Sequence, residues 1–193
     1  VILNNTVPED FVVLTSDHGA SFPFFKGNCY GSSTNIPMMI RHKEIAAFQD
    51  KESVISHVDF LPTVCDFLGI KDVKFDGHSY LKTIKYKSKF DKNHVYVQLN
   101  KMMFGPNCRI RAATNKTHSY IINIDQEYCA NFVDGWGWSD VIDDLEPSFF
   151  FRQPEEFVEN NKLDFKQDNN KQMMKTLKNA LFQTMLIYKD PQY

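Results

Sequence analysis

A short apolar run, Phe11-Val12-Val13-Leu14, is the feature that most constrains what this chain can fold into. The polar turn Thr15-Ser16-Asp17-His18-Gly19 follows it directly. A fully apolar run of this length predicts a strand that is buried on both faces of a parallel sheet. Because open α/β sheets bind ligands at the carboxyl ends of such strands, the turn predicts a functional site.

The residues that follow predict a long loop, a second strand and a helix. Residues 19–37 contain three glycines, two prolines and a Ser-Ser-Thr-Asn cluster, which is typical of a loop. The second strand is expected over residues 37–41. Residues 56–69 predict a helix that Gly69 ends, with one apolar face formed by Leu61, Val64, Cys65 and Leu68.

The second half of the chain has a different pattern. Residues 94–99, 108–114 and 119–124 are short β-like runs with brief links, which predict an antiparallel sheet. Residues 171–188 return to helical spacing. The Lys-rich stretch 82–92 is expected to be a solvated connection. We therefore predict two parts, residues 1–92 and residues 93–193.

Composition excludes several classes of protein. A net charge of -2 gives no reason to expect a nucleic acid as partner, and no apolar stretch reaches the roughly 18–20 residues of a transmembrane segment. The four cysteines lack CxxC spacing, which argues against structural zinc, although Cys108 and Cys129 can pair. The glycosylation sequons at Asn4 and Asn115 favour a secreted or lysosomal protein slightly.

Asp17 and His18 are the strongest candidates for chemistry. A carboxylate and an imidazole on a strand-end turn can ligate one divalent ion. The alternative is that Asp17 caps a turn and that His18 is a surface residue. Lys26 can bind a sulfate or phosphate oxygen as a point charge, or it can be a solvated loop lysine. Asp59, near the helix start, is expected to cap the helix or face solvent.

Four segments together resemble the sulfatases of the alkaline phosphatase superfamily. They are the strand and turn Phe11–Gly19, the stretch Lys26-Gly27-Asn28-Cys29-Tyr30 with Pro37 behind it, the strand Pro37–Arg41 and the helix Val54–Val64. The pair Phe22-Pro23 and the form of the tail lean toward the heparan N-sulfatase branch. The resemblance implies an α/β fold: the C-terminal part of an alkaline-phosphatase-like sheet flanked by helices, then a small antiparallel β-sheet with a C-terminal helix.

The resemblance also implies a function, the hydrolysis of a sulfuric ester or sulfamate. The expected substrate is a sulfated sugar. Asp17 and His18 would be ligands of a divalent metal, usually Ca²⁺, and Lys26 would hold the sulfate. The nucleophile of the family is a hydrated formylglycine, which would lie upstream of Val1. The missing N-terminal part of the same protein would then be a partner of this chain, and the chain alone would be inactive.

Departures from the family pattern leave two alternatives open. His18 stands where many sulfatases have Asn, which favours a phosphodiesterase or phosphonate monoester hydrolase that uses Mn²⁺ or Zn²⁺. The altered loop, with Gly31, Ser32, Ser33 and Asn35 in place of Glu, two Gly and Arg, favours a non-catalytic protein that binds sulfated sugars. The expected location is secreted or lysosomal, or periplasmic in a bacterium.

Overall fold

The computed structural model of this chain describes residues 2–20, 25–101, 107–125, 155–160 and 170–190. These residues belong to two compact units. The first unit contains residues 1–16 and 37–95, and the second unit contains residues 17–36 and 96–193. The loop that carries Asp17, His18 and Lys26 therefore packs with the C-terminal part of the chain.

The helices and strands follow in chain order. The helices are α1 (Gly31–Thr34), α2 (Phe60–Phe67), α3 (Leu81–Tyr86) and α4 (Lys171–Ile187). The strands are β1 (Val12–Thr15), β2 (Met38–Arg41), β3 (Val95–Lys101), β4 (Asn107–Thr114), β5 (His118–Asn123) and β6 (Glu155–Glu159). Short 3₁₀ helices cover Ile2–Asn5 and His57–Asp59.

In the first unit, β1 and β2 form a two-stranded antiparallel sheet. The prediction that β1 is a parallel strand buried on both faces is wrong for this chain. Parallel neighbours need a crossover connection, whereas here the loop brings β2 back alongside β1 in the opposite direction. Leu14 and its cross-strand partner Met39 are 48% and 60% exposed, because no described layer of the chain covers their face.

The helix predicted over residues 56–69 is confirmed, but its predicted apolar face is not the buried one. Thr63 is fully buried, whereas Leu61 and Leu68 are 57% and 62% exposed. The Thr63 hydroxyl donates to the Asp59 carbonyl at 2.6 Å and accepts from the Tyr80 N–H at 3.0 Å. The hydrogen bond from Tyr80 is tertiary, and the inward side of α2 is the side that carries Thr63 rather than the one with apolar spacing.

Asp59 forms a capping box with Ser56 at the start of the 3₁₀ helix that leads into α2, and it does not face solvent. Its side chain is fully buried and accepts hydrogen bonds from the Ser56 and His78 N–H groups, both at 2.9 Å. Lys92 Nζ lies 2.7 Å from both of its carboxylate oxygens. The stretch 82–92 is therefore more ordered than the predicted solvated connection, since it contributes most of α3 and a cation to the interior.

In the second unit, β3, β4, β5 and β6 form a four-stranded sheet in that order, and α4 packs on it. The antiparallel sheet and the C-terminal helix were predicted and are confirmed, but β6 was not predicted. One face of this sheet, the helix face, buries Ala113, Tyr120 and Phe157 against α4. The other, the loop face, buries Ile110, Ala112, Ile121 and Val158 against Cys29 and Tyr30.

Two further predictions depend on which residues the structure describes. The pairing of Cys108 with Cys129 lies outside them, because the structure describes neither the Cys108 side chain nor Cys129. Within the described segments, no helix is both long and apolar enough to cross a bilayer.

Candidate functional site

The Asp17-His18-Gly19 turn is fixed by a close backbone approach at Gly19. The Gly19 N–H donates to the Ser33 carbonyl at 2.9 Å. A Cβ atom at Gly19 would lie 2.3 Å from the Ser32 carbonyl oxygen and 2.4 Å from that of Phe25. Only glycine fits this space, and the turn therefore sits directly against α1 and the segment that leads into Lys26.

The side chains of Asp17 and His18 face one another. The His18 Nδ1 atom lies 2.7 Å from the Gly19 carbonyl oxygen, and since that oxygen can only accept, Nδ1 carries the hydrogen. The His18 Nε2 atom lies 3.3 Å from Asp17 Oδ2. In a neutral ring, the Nε2 lone pair and the carboxylate then face a common space, which is a suitable arrangement for a cation.

The contact between His18 Nδ1 and the Gly19 carbonyl is of a kind that occurs in known metal sites. A histidine that ligates a metal usually donates its other ring N–H to a carbonyl or carboxylate, which fixes the tautomer and the ring orientation. Here the Gly19 carbonyl is the acceptor of such a hydrogen bond from His18. The Asp17 side chain is 82% exposed and that of His18 is 38% exposed, so both can be reached from solvent.

Local capping accounts for part of the geometry. Asp17 Oδ1 accepts a hydrogen bond from the His18 N–H at 3.0 Å, so one oxygen of Asp17 caps the turn and the other points to the imidazole. Among the described residues, no group of three or more His, Cys, Asp or Glu is placed to hold a metal ion. The pair can therefore supply two ligands, and any others must come from elsewhere.

Lys26 lies next to Phe25, whose carbonyl packs on Gly19. The Lys26 carbonyl accepts from the Asn28 side-chain amide at 3.1 Å, and Gly27 has a φ of 70°. The Asn28 Oδ1 atom accepts in turn from the Tyr30 N–H at 2.9 Å. These bonds shape the bend that follows Phe25, and Lys26 is half-buried.

The two sequons lie in different units. Asn4 is exposed in the 3₁₀ helix Ile2–Asn5 of the first unit. Asn115 lies in the turn between β4 and β5, where its Oδ1 atom accepts from the Thr117 and His118 N–H groups, both at 2.8 Å. Its Nδ2 atom, which a glycan would modify, lies 3.0 Å from the Met173 sulfur.

Sequence reasoning missed the residues on and after β6 that hold the loop in place within the second unit. Glu156 on β6 and Asn160 just after it contact the loop at Tyr30 and Gly31. No local pattern marks them, because they are more than 120 residues away from their partners along the chain. The only sequence signal was indirect: Tyr30 lies in the stretch that resembles Lys-Gly-x-x-Tyr.

Comparison with known proteins confirms the resemblance that the motifs suggested. Residues 3–70 match the family model described as Sulfatase. Arylsulfatase K of Xenopus laevis is 35% identical over 93 residues, which is 45% of this chain and 17% of that protein. Arylsulfatase K of Bos taurus is 29% identical over 133 residues, which is 64% of this chain and 23% of that protein. The chain thus spans under a quarter of the length of these relatives.

Solved structures confirm the fold class. The structure of BT4656 in complex with its substrate D-glucosamine-2-N,6-O-disulfate matches 94% of this chain and 35% of its own, with a TM-score of 0.65 and 20% identity. The structure of BT1596, a 2-O GAG sulfatase, matches 93% of this chain and 37% of its own, with a TM-score of 0.63 and 18% identity. At these identities the two structures show the fold alone. The family model and the Arylsulfatase K relatives support the sulfatase family, but not the heparan N-sulfatase branch in particular.

Proposed function

We propose that this chain, whose residues 3–70 match the Sulfatase family model, provides part of the active site of a hydrolase of sulfuric esters or sulfamates. The observation that carries the proposal is the Asp17–His18 pair, whose Oδ2 and Nε2 atoms lie 3.3 Å apart while Nδ1 is held by the Gly19 carbonyl. A sulfated sugar is the substrate class that we propose, because two proteins of the same fold are described as acting on sulfated sugars.

We assign separate roles to the residues of the loop. Asp17 and His18 would hold a divalent metal, which when bound supplies a Lewis acid for a sulfate oxygen. The hydrogen bond from His18 Nδ1 to Gly19 would leave Nε2 as the ring nitrogen that holds the metal. The Lys26 ammonium group would neutralise charge that develops on the sulfate and the leaving atom.

The nucleophile of the proposed reaction lies outside this sequence. The chain contains no Cys-x-Pro-x-Arg or Ser-x-Pro-x-Arg motif, which formylglycine formation in this family would need. We therefore propose that Asp17, His18 and Lys26 act together with a further part of the same protein, and that the 193-residue chain alone does not turn over substrate.

The experiment that tests the proposal measures metal content and sulfate release in the intact protein. His18→Ala should lower metal affinity by more than about 10- to 100-fold, the usual cost of losing a group that only supports a ligand, and Lys26→Ala should lower kcat by about 100-fold. His78→Gln and Lys51→Ala are matched controls, because both side chains belong to exposed residues of the first unit. Bound metal without sulfate release in the unaltered protein would instead favour the non-catalytic sugar-binding reading.

A phosphate or phosphonate ester hydrolase is the second candidate, and the nitrogen ligand His18 favours it. An imidazole suits Mn²⁺ or Zn²⁺ better than Ca²⁺, which prefers oxygen. Elemental analysis of the purified intact protein separates the two, together with parallel assays on a sulfate monoester and a phosphonate monoester. Calcium with sulfate release supports the sulfatase, whereas manganese or zinc with phosphonate cleavage supports the alternative.

A further inference from the structure

Strand β6 carries two adjacent glutamates that bind tyrosines on opposite faces of the sheet. Glu156 lies on the loop face, is 5% exposed, and accepts from the Tyr30 hydroxyl at 2.5 Å and from the Asn123 amide at 2.7 Å. Glu155 lies on the helix face and accepts from the Tyr120 hydroxyl at 2.6 Å. The two bonds are chemically alike, but only one of these tyrosines belongs to the loop of the candidate site.

Hydrogen bonds connect Tyr30 to the candidate metal ligands. The Tyr30 carbonyl accepts from the Ser33 N–H at 2.9 Å at the start of α1. The Ser33 carbonyl accepts from the Gly19 N–H, also at 2.9 Å, and the Gly19 carbonyl holds His18 Nδ1. A displacement of Tyr30 therefore moves the turn that orients the imidazole.

A second contact fixes the same part of the loop. A Cβ atom at Gly31 would lie 2.2 Å from the Asn160 carbonyl oxygen, so the loop backbone rests directly on the residue that follows β6. The Asn160 side chain donates to the Asn115 carbonyl at 2.7 Å and accepts from the Ser119 hydroxyl at 2.5 Å. The loop thus rests on a surface that the β4–β5 turn already holds in place.

We propose that Glu156 is a positioning residue of the candidate site, which acts through Tyr30 and α1 to set the orientation of His18. A buried carboxylate that loses a donor is left with an oxygen that water does not reach, and this penalises every loop conformation in which the Tyr30 hydroxyl has moved away. The importance of Glu156 for turnover rests on the proposed function. The effect of Glu156 on the position of the loop does not depend on that function and can be measured independently.

The test compares Tyr30→Phe with Tyr120→Phe, since each removes one hydroxyl from one β6 glutamate. Amide hydrogen exchange is followed at Gly19 and Ser33. Tyr30→Phe should raise exchange there by about tenfold, because the loop loses its anchor, and Tyr120→Phe should leave it within about twofold. Equal increases in both variants, or no increase with Tyr30→Phe, would overturn the proposal.

A second pair of variants keeps the test decisive if Tyr30→Phe folds poorly. Glu156→Gln can still bind both partners, because its amide oxygen accepts from Asn123 and its amide nitrogen donates to the Tyr30 oxygen. It should therefore preserve slow exchange at Gly19, whereas Glu156→Ala should not. The matched control is Glu155→Ala, and an equal loss of protection in both alanine variants would contradict a role specific to Glu156.

An activity measurement on the intact protein separates this inference from the proposed function. Tyr30→Phe should lower kcat for a sulfated sugar by about tenfold or more, with a smaller change in KM, because orientation of the reacting groups is lost rather than binding. If the unaltered protein releases no sulfate, the proposed function fails, and the exchange data alone decide whether Glu156 positions the turn.

Discussion

The two sheets of this chain use apolar strand residues in opposite ways. In the first unit, β1 and β2 leave Leu14 and Met39 about half exposed or more. In the second unit, the side chains of Ile110 and Ile121 are at most 1% exposed, and they pack against Cys29 and Tyr30 of the loop. Similar residues therefore reach different environments, because burial depends on whether another layer covers the face and not on the strand itself.

The interior of the first unit contains buried polar side chains. Asp59 and Thr63 are both fully buried there, and Lys92 neutralises the carboxylate. The second unit has an apolar layer between α4 and the sheet, to which α4 contributes Leu177, Leu181 and Met185. The comparison teaches that a buried ion pair lies inside the first unit, whereas the second unit combines an apolar layer under α4 with the buried hydrogen bonds of Glu156.

We expect the largest effect from a substitution that breaks the buried ion pair of the first unit. Asp59→Ala leaves Lys92 without its buried partner and should lower the free energy of unfolding by roughly 3–5 kcal/mol. Urea denaturation of the chain measures this. Asp66→Ala is the matched control, since Asp66 is exposed and binds Ser79 at 2.6 Å, and its cost should stay within about 0.5 kcal/mol. Similar costs for both variants would mean that the buried pair has no special role.

A leucine truncated in each unit sharpens the contrast in packing. Leu177→Ala removes a side chain that is 1% exposed and should cost roughly 2–5 kcal/mol. Leu61→Ala removes one that is 57% exposed and should change stability by about 0.5 kcal/mol or less in this chain. The same urea titration reports both. A large cost for Leu61→Ala would show that another layer covers the exposed face of α2 in solution.

The two units should also respond to acid at different pH values. Burial, with help from the charge of Lys92, lowers the pKa of His94 in the first unit below its usual 6.5. The unfolded chain then binds a proton more readily, so this unit loses stability as pH falls below about 6.5. In the second unit, the hydrogen bond from Arg109 lowers the pKa of Asp125, and the stability it contributes is lost only as pH falls below about 4.

Amide exchange at about pH 7 and about pH 5 resolves the two responses. Protection of the first unit should decrease over this interval, and that of β4 and β5 should not. His94→Gln should remove most of the change in the first unit, while Asp125→Asn should alter only the response below about pH 4. A decrease of equal size in both units would contradict the assignment of the acid response to His94.

The smallest expected effect concerns glycosylation, because each unit contains one sequon. Asn4 is exposed and should carry a glycan if the protein is secreted, whereas the Asn115 amide contacts Met173 and should be modified less. Mass analysis before and after peptide N-glycosidase treatment checks this, with Asn4→Gln and Asn115→Gln as the paired variants. Loss of the mass shift in Asn115→Gln rather than Asn4→Gln would reverse the assignment.

Local patterns predicted what depends on neighbours in sequence. The helical spacing of residues 171–188 identified α4, and the adjacency of Asp17 and His18 was enough to identify a candidate ligand pair. The inward side of α2 was predicted wrongly, because the buried Thr63 accepts a hydrogen bond from the Tyr80 N–H, 17 residues further along the chain. The bond between Tyr30 and Glu156 joins residues 126 positions apart, and no periodicity encodes such a pair.

That bond has a consequence for the time at which the site can form during synthesis. A ribosome adds residues from the N-terminal end, so Asp17, His18 and Lys26 emerge long before Glu156 does. Contacts of such high sequence separation are slow to form, since the entropy of closing a long loop opposes them. The nascent chain therefore carries its candidate ligands on an unanchored loop until β6 has been translated and has docked.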